Sequence, residues 1–337
     1  MAFCLRINYT RDEENKEKNK EVATMTELKE VERLEITAIM DNYADWLLPD
    51  GPHVKRAVGS KDGHILRIPL MAEHSLCLRI RYFINDESHD ILLDVAENKV
   101  SLANNLNILD VDLQKVEAII VSHGHEDHTD ALPWAITQVR EDIPVIIHPD
   151  AFLTGKTTID NGVRISNVSP KRATITNHHN PLIESKSPYL SPDGHYLVTG
   201  EIPRLTSFEQ PPQGATLVRD GKTEKDLILD DQAIVFSLKG KGIVVISGCA
   251  HSGIINTVSY AQQLSKQDTV FSIIGGFHLP PSQKSSVTMQ TIEALKTINP
   301  NIIIPMHCTG FYSISSIQQI FKERCVISCV GSTFLIQ

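Results

Sequence analysis

V-S-H-G-H-E-D-H-T-D, residues 121–130, follows the apolar run Ala118, Ile119, Ile120 and precedes a helical pattern starting at Leu132. A strand feeding a helix therefore carries His123, His125, Asp127 and His128 at its junction. Imidazole nitrogens with a carboxylate suit a borderline divalent cation: zinc first, manganese or iron as alternatives. His123 and His125, two positions apart, point the same way on an extended or turning backbone, whereas the adjacent Asp127 and His128 diverge. This spacing predicts two neighbouring divalent cations, His123 and His125 on one, Asp127 and His128 on the other. Two such ions share a hydroxide and clamp a phosphoryl or acyl oxygen. A solvated polar turn accounts for a lone histidine. It does not account for this density of ligand-type side chains, because buried polar groups need partners.

Further along, three apolar strands end in similar chemistry: S-G-C-A-H-S-G at 247–253, G-G-F-H-L at 275–279 and P-M-H-C-T-G at 305–310. Sites on layered α/β sheets gather where strand ends and their loops converge. His307 is expected to complete the Asp127/His128 cation, and His251 the His123/His125 cation. Cys249 is a candidate ligand through its thiolate, or a small core residue. His278 is expected to act as a general acid or to touch substrate rather than to ligate. Asp127 is expected to ligate and to relay a proton.

The H-x-H-x-D-H motif after an apolar strand resembles the signature of the metallo-β-lactamase superfamily. The downstream motifs, together with Asp41-Asn42, Ala72-Glu73-His74 and T-G-E-I-P-R at 199–204, resemble one branch of it, the dihydropterin–ribofuranosylaminobenzene phosphate synthase-like proteins. The resemblance spans about residues 34–333. It implies a metal-dependent hydrolase, the description given to most members. The branch's named activity is a condensation that joins a pterin methyl diphosphate to a ribosylaminobenzene phosphate and expels diphosphate. Departures are Cys249 where many members carry a bridging Asp, Leu93-Asp94-Val95-Ala96 where Asp-Thr-Gly is usual, and Asp130 where Gly is common. Asp94 is expected to orient ligand histidines through hydrogen bonds. Arg204 is a candidate phosphate clamp. Glu73, His74 and Glu201 are further candidates for substrate contact. His148, at a strand end, is the remaining histidine expected nearest the cations.

The remaining sequence sets bounds. At 337 residues, with 41% hydrophobic and 22% charged residues, the chain has the composition of a soluble globular protein. A net charge of -9 argues against a general nucleic-acid or anionic-membrane surface, and leaves a small-molecule substrate as the expected partner. No apolar run reaches membrane-spanning length and no signal-peptide pattern opens the chain. Six scattered cysteines form no C-x-x-C pair, which fits a reducing cytoplasm. Residues 1–33, rich in Glu and Lys, read as a mobile leader. Residues 34–337 read as one α/β domain, a four-layer αββα sandwich, since strands alternate with helices in both halves. A variable insert is expected around 151–213, with strands at 162–168 and 173–177. Lys61-Asp62-Gly63 reads as a turn, and 326–330 as the last strand.

Three functions are consistent with this reading. The first is a metal-dependent hydrolase in which metal-bound hydroxide attacks a small phosphorylated or diphosphorylated molecule. The second is the synthase-like condensation. The third is a non-catalytic metal-binding protein.

Overall fold

Period-two burial organises the fold. In strand Arg33–Met40, Leu34, Ile36 and Ala38 face one apolar cluster while Ile39 and Met40 join another. Strand Val116–Ile120 divides its side chains likewise, with Ala118 and Ile120 on one side and Ile119 on the other. A strand apolar on both faces must be covered on both. The computed structural model describes residues 27–57, 60–61, 64–65, 69–160, 163–279 and 285–337. In it, one face of each large sheet meets the other sheet and the opposite face meets helices.

The N-terminal sheet runs, in spatial order, Leu182–Glu184, Val145–Ile147, Val116–Ile120, Glu87–Leu93, Cys77–Ile84, Arg33–Met40, Thr333–Ile336 and Val54–Lys55. The C-terminal sheet runs Tyr189–Leu190, Leu197–Val198, Ala233–Leu238, Gly242–Ser247, Val270–Gly276 and Ile302–Met306. Ile36, Ile80 and Ile120 of the first sheet pack with Phe236, Val244 and Ile304 of the second. Helices Lys99–Ile108 and Leu132–Ala135 cover the outer face of the N-terminal sheet through Leu102, Leu106 and Leu132. Helices Ile254–Ser265, Ser286–Ile298 and Phe311–Phe321 cover the other through Val258, Leu295 and Ile317. This is the expected four-layer αββα sandwich. Strands Glu87–Leu93, Val116–Ile120 and Val145–Ile147 pair in parallel, as do Gly242–Ser247, Val270–Gly276 and Ile302–Met306. Their carboxyl ends, which carry the histidine motifs, therefore share an edge within each sheet.

Several local expectations change. Part of the expected leader at 1–33 is folded: Leu28 is buried and Glu30–Val31 pairs in parallel with Ala233–Leu238. The fold thus includes these residues; residues 1–26 lie outside the described ones. The expected insert at 151–213 is not one segment. Thr154–Asp160 and Val163–Ser166 form a small sheet with the later Thr216–Arg219 and Lys222–Lys225. The chain between them adds edge strands to both large sheets. Residues 173–177 lie largely in the helix Arg172–Thr176 rather than a strand. The last strand is Thr333–Ile336, because the chain leaves the C-terminal sheet after the Cys325 bridge to Ile303 and crosses to pair with Arg33–Met40. Asp62, Gly63 and Gly162 lie outside the described residues.

Candidate metal centre

The 121–130 motif turns directly from strand into the single helical turn Glu126–Thr129, with His125 at its N-cap. The Leu76 and Val95 amides donate to the carbonyls of Asp127 and His128 and fix that turn on the sheet edge. Gly124 is required: a Cβ there would collide with the Ala151 carbonyl.

Two donor sets converge. His123 Nε2 lies 2.9 Å from His125 Nδ1 and 3.2 Å from His251 Nε2. His307 Nε2 lies 3.2 Å from both His128 Nε2 and the Asp127 carboxylate. Cys249 Sγ is 3.2 Å from His128 Nε2, and it also lies within ligand reach of His251 and His278. His123, His128 and His307 are fully buried.

Hydrogen bonds choose the tautomers. The Ser122 hydroxyl donates to Asp94 at 2.8 Å, so it accepts from His123 Nδ1–H at 3.0 Å and leaves His123 Nε2 with a lone pair. His128 Nδ1 donates to Asp94 at 2.6 Å. Asn42 Nδ2 donates to the His307 carbonyl, so Asn42 Oδ1 accepts from His307 Nδ1–H, each at 3.1 Å. Asp41 accepts the His307 amide at 3.0 Å and the Ser328 hydroxyl at 2.6 Å. Asp94 and Asn42 thus aim three imidazole Nε2 atoms into one space, the arrangement that outer hydrogen bonds give to metal ligands.

Charge agrees with that geometry. Burial, reinforced by neighbouring histidines, holds His123 and His251 well below the ordinary histidine pKa. Burial also lowers His125, to about 4. These rings are neutral and present lone pairs. One proton serves only one of the contacts among three facing nitrogens, so the rest oppose lone pair to lone pair unless a cation sits among them. For His128, burial pushes down, but Asp127 and Asp94 outweigh it and hold the ring well above its usual value. Without a cation, a proton on His128 answers these carboxylates. Burial raises the Cys249 thiol, and Cys308 beside it adds to the rise; coordination to a cation would deprotonate it. Both donor sets fit divalent cations.

Above them opens a cleft of about 570 Å³. Its polar lining includes Asn42, His74, His278 and Cys308; its apolar lining includes Phe208, Pro212, Phe277, Leu279 and Val287. Among the described residues no Lys or Arg lines it. His74 stands at the rim, with Nε2 4.0 Å from Asp127 and Nδ1 3.1 Å from Asn42. His278 is exposed, and its ring lies tilted against that of His251, 4.1 Å from centroid to centroid.

Three expected substrate contacts sit elsewhere. Arg204 donates to the carbonyls of Leu227 at 2.6 Å and His251 at 3.2 Å, so its guanidinium holds a ligand loop instead of facing the cleft. Glu73 accepts from the Asn98 amide and the Ser101 hydroxyl and so braces the start of the helix Lys99–Ile108, whose N-cap is Asn98. Glu201 lies beside His148 and Lys186, at 3.4 and 3.5 Å, and does not line the cleft. His148 itself is buried, capping the turn Pro149–Phe152, and joins neither donor set. Ser122, Cys308 and the pair Lys156–Asp230 adjoin the site without having been expected there. Cys308 carried one signal, its place beside His307; the pair carried none.

No family model matches the chain. A 7,8-dihydropterin-6-methyl-4-(β-D-ribofuranosyl)-aminobenzene-5'-phosphate synthase of Methanocaldococcus jannaschii is 27% identical over 259 residues, 76% of this chain and 87% of the relative. An uncharacterised protein of the same organism is 33% identical over 233 residues, 68% of this chain and 83% of that one. The chain belongs to the metallo-β-lactamase superfamily, in its dihydropterin–ribofuranosylaminobenzene phosphate synthase-like branch. It is an enzyme of that superfamily. The crystal structure of Tm1679, a metal-dependent hydrolase of the β-lactamase superfamily, shares the fold: TM-score 0.66, 20% identity, covering 89% of this chain and 98% of that one. The metallo-β-lactamase fold implies divalent metal ions, and the donor sets described above are candidate ligands for them. Among the described residues, no helix is long and apolar enough to cross a membrane.

Proposed function

We propose that this enzyme hydrolyses a small phosphorylated or diphosphorylated molecule with the help of two divalent cations, zinc being the first candidate. One observation carries the reading: two converging donor sets, His123/His125/His251 and Asp127/His128/Cys249/His307, adjoin one cleft. When bound, the cations polarise a phosphoryl oxygen and make a water nucleophilic at neutral pH. The chain supplies the rest. The charge of His128, with hydrogen bonds from His128 and His307, outweighs burial and keeps Asp127 ionised, as a cation ligand must be. His278, exposed beside His251, delivers a proton to the leaving group. His74 turns the substrate's polar end toward Asp127. Phe208, Phe277 and Leu279 hold its apolar body and exclude water. With no Lys or Arg on the described lining, the substrate's negative charge falls to the cations and the histidines. Five free thiols among the described residues suit a reducing, cytoplasmic setting.

A second reading is favoured by the 27% identical synthase: condensation of a pterin methyl diphosphate with an arylamine. The same site serves both, since either reaction needs the phosphoryl oxygens polarised. Incubating the zinc-loaded enzyme with a pterin methyl diphosphate, with and without the ribosylaminobenzene phosphate, separates them. Hydrolysis gives free hydroxymethyl pterin whether or not the acceptor is present. Condensation gives the joined product only with the acceptor. No turnover of this substrate or of a phosphoester panel, by protein carrying its cations, would overturn both.

A further inference from the structure

Two consecutive buried carboxylates, Asp230 and Asp231, lie behind the ligand loops, with Asp230 1% and Asp231 1% exposed. Each grips a different loop of the first cation set. Asp230 Oδ2 accepts the Gly124 amide, between His123 and His125, at 2.8 Å. Asp231 Oδ2 accepts the Ser252 amide, next to His251, at 2.8 Å. Gln232 continues the seam: its amide donates to the Ser122 carbonyl and its side chain to that of Val121. Each carboxylate has a counter-charge. Asp231 is the leading attractive charge on Arg204, which also holds the His251 carbonyl. Asp230 is met by Lys156, whose ammonium donates to the same Oδ2 at 2.7 Å.

Lys156 is unusual, being only 1% exposed. A buried ammonium is costly unless it is paired. It belongs to strand Thr154–Asp160 of the small four-stranded sheet, not to either large sheet. Asp230 Oδ1 and His125 Nε2 are both buried with no hydrogen-bond partner among the described residues, and the Asp230 charge acts on the His125 ring.

We infer that Asp230 is a positioning residue for the first cation, with Lys156 as the counter-charge that lets its carboxylate stay buried: Asp230 fixes the Gly124 amide, and through it the convergence of His123 and His125 on His251. The small sheet is thereby part of the metal site's foundation. The inference rests on the two-cation reading and predicts selectivity. Loss of the Asp230 acceptor loosens the His123/His125/His251 set and spares Asp127/His128/His307, which is held by Asp94, Asp41 and Asn42.

Two doubly neutral variants test this; the buried Asp226, which Lys156 also attracts, loses that charge equally in both, so the comparison between them isolates the Asp230 oxygen. Lys156→Met with Asp230→Asn keeps an oxygen for the Gly124 amide. Lys156→Met with Asp230→Leu keeps the volume and removes the acceptor. Zinc affinities of the full chain are read by competition with a chelating dye, alongside the melting temperature of the cation-free protein. The Asn double is expected to hold both zinc ions within about threefold of wild type. The Leu double is expected to lose about tenfold in affinity at one site only, the size of effect typical for partners behind metal ligands. Equal first-site affinity in the two doubles, or equal weakening of both sites, overturns the inference. If the Leu double does not fold, Lys156→Met with Asp230→Ala takes its place: a first-site loss of about tenfold there supports the inference, and first-site affinity equal to that of the Asn double overturns it. Wild-type protein that binds no zinc would instead defeat the metal reading itself.

Discussion

His251 Nε2 stands 3.2 Å from His123 Nε2 although 128 positions separate them along the chain. The two lie on opposite sheets, His123 beyond Val116–Ile120 and His251 beyond Gly242–Ser247. Burial keeps both rings neutral. Two neutral imidazoles brought nose to nose from different sheets gain little from each other and much from a shared cation.

Arg204 holds the His251 carbonyl, so its loss should act on the cation rather than on substrate charge. Arg204→Met is expected to weaken zinc binding and to lower kcat by roughly tenfold. KM should change equally little for neutral and anionic substrates. A KM rise confined to phosphorylated substrates would restore Arg204 as a phosphate clamp.

Glu73 braces the N-cap residue Asn98 and Ser101. Glu73→Ala should reduce stability by about 1 kcal/mol, the usual net value of an intramolecular hydrogen bond, measured by urea denaturation. Activity per folded molecule should stay near wild type, and a large fall in kcat would place Glu73 in the substrate site.

Asp94 orients His128 directly and His123 through Ser122. Asp94→Asn leaves a side chain of the same shape but gives up the charge-assisted contact with His128 Nδ1. Zinc affinity is expected to fall by about 10–100-fold. Unchanged affinity in calorimetric titration would show that Asp94 does not orient the ligands.

Acid should act on the cation-free protein through His125. Its folded pKa of about 4 lies below the ordinary 6.5. Between those values the unfolded chain binds a proton that the folded chain refuses, so this residue costs stability progressively as pH falls from about 6.5 to about 4. Asp231, raised by burial to about 6, acts in the opposite sense, because its folded form keeps the proton. The contribution of His125 is therefore isolated by comparison with His125→Gln. From pH 7 to pH 4.5, wild type should lose stability relative to that variant. Parallel pH curves would contradict the buried, neutral ring.

Much of this site is written where an apolar strand meets a ligand side chain, which is why His251 and His307 were legible beside His123–His128. Arg204, Glu73 and Glu201 were not. Their partners are backbone groups and side chains supplied by tertiary packing, and these leave no periodic trace. Nothing local marks Lys156 as buried or indicates that Asp230 waits beneath it. Glu30–Val31 is too short to show an alternation, so its pairing with Ala233–Leu238 stayed hidden behind a charged leader. Residues 326–330 have a strand's composition, but their place in the crossing between sheets gives their backbone few ladder partners.

The account stands most directly on cation stoichiometry, read by elemental analysis after dialysis of wild type, His251→Ala and His307→Ala. It predicts two zinc ions per wild-type chain and one in each variant, with activity down by at least roughly 100-fold in both. Fewer than one ion in wild type, or two ions retained in either variant, would contradict it.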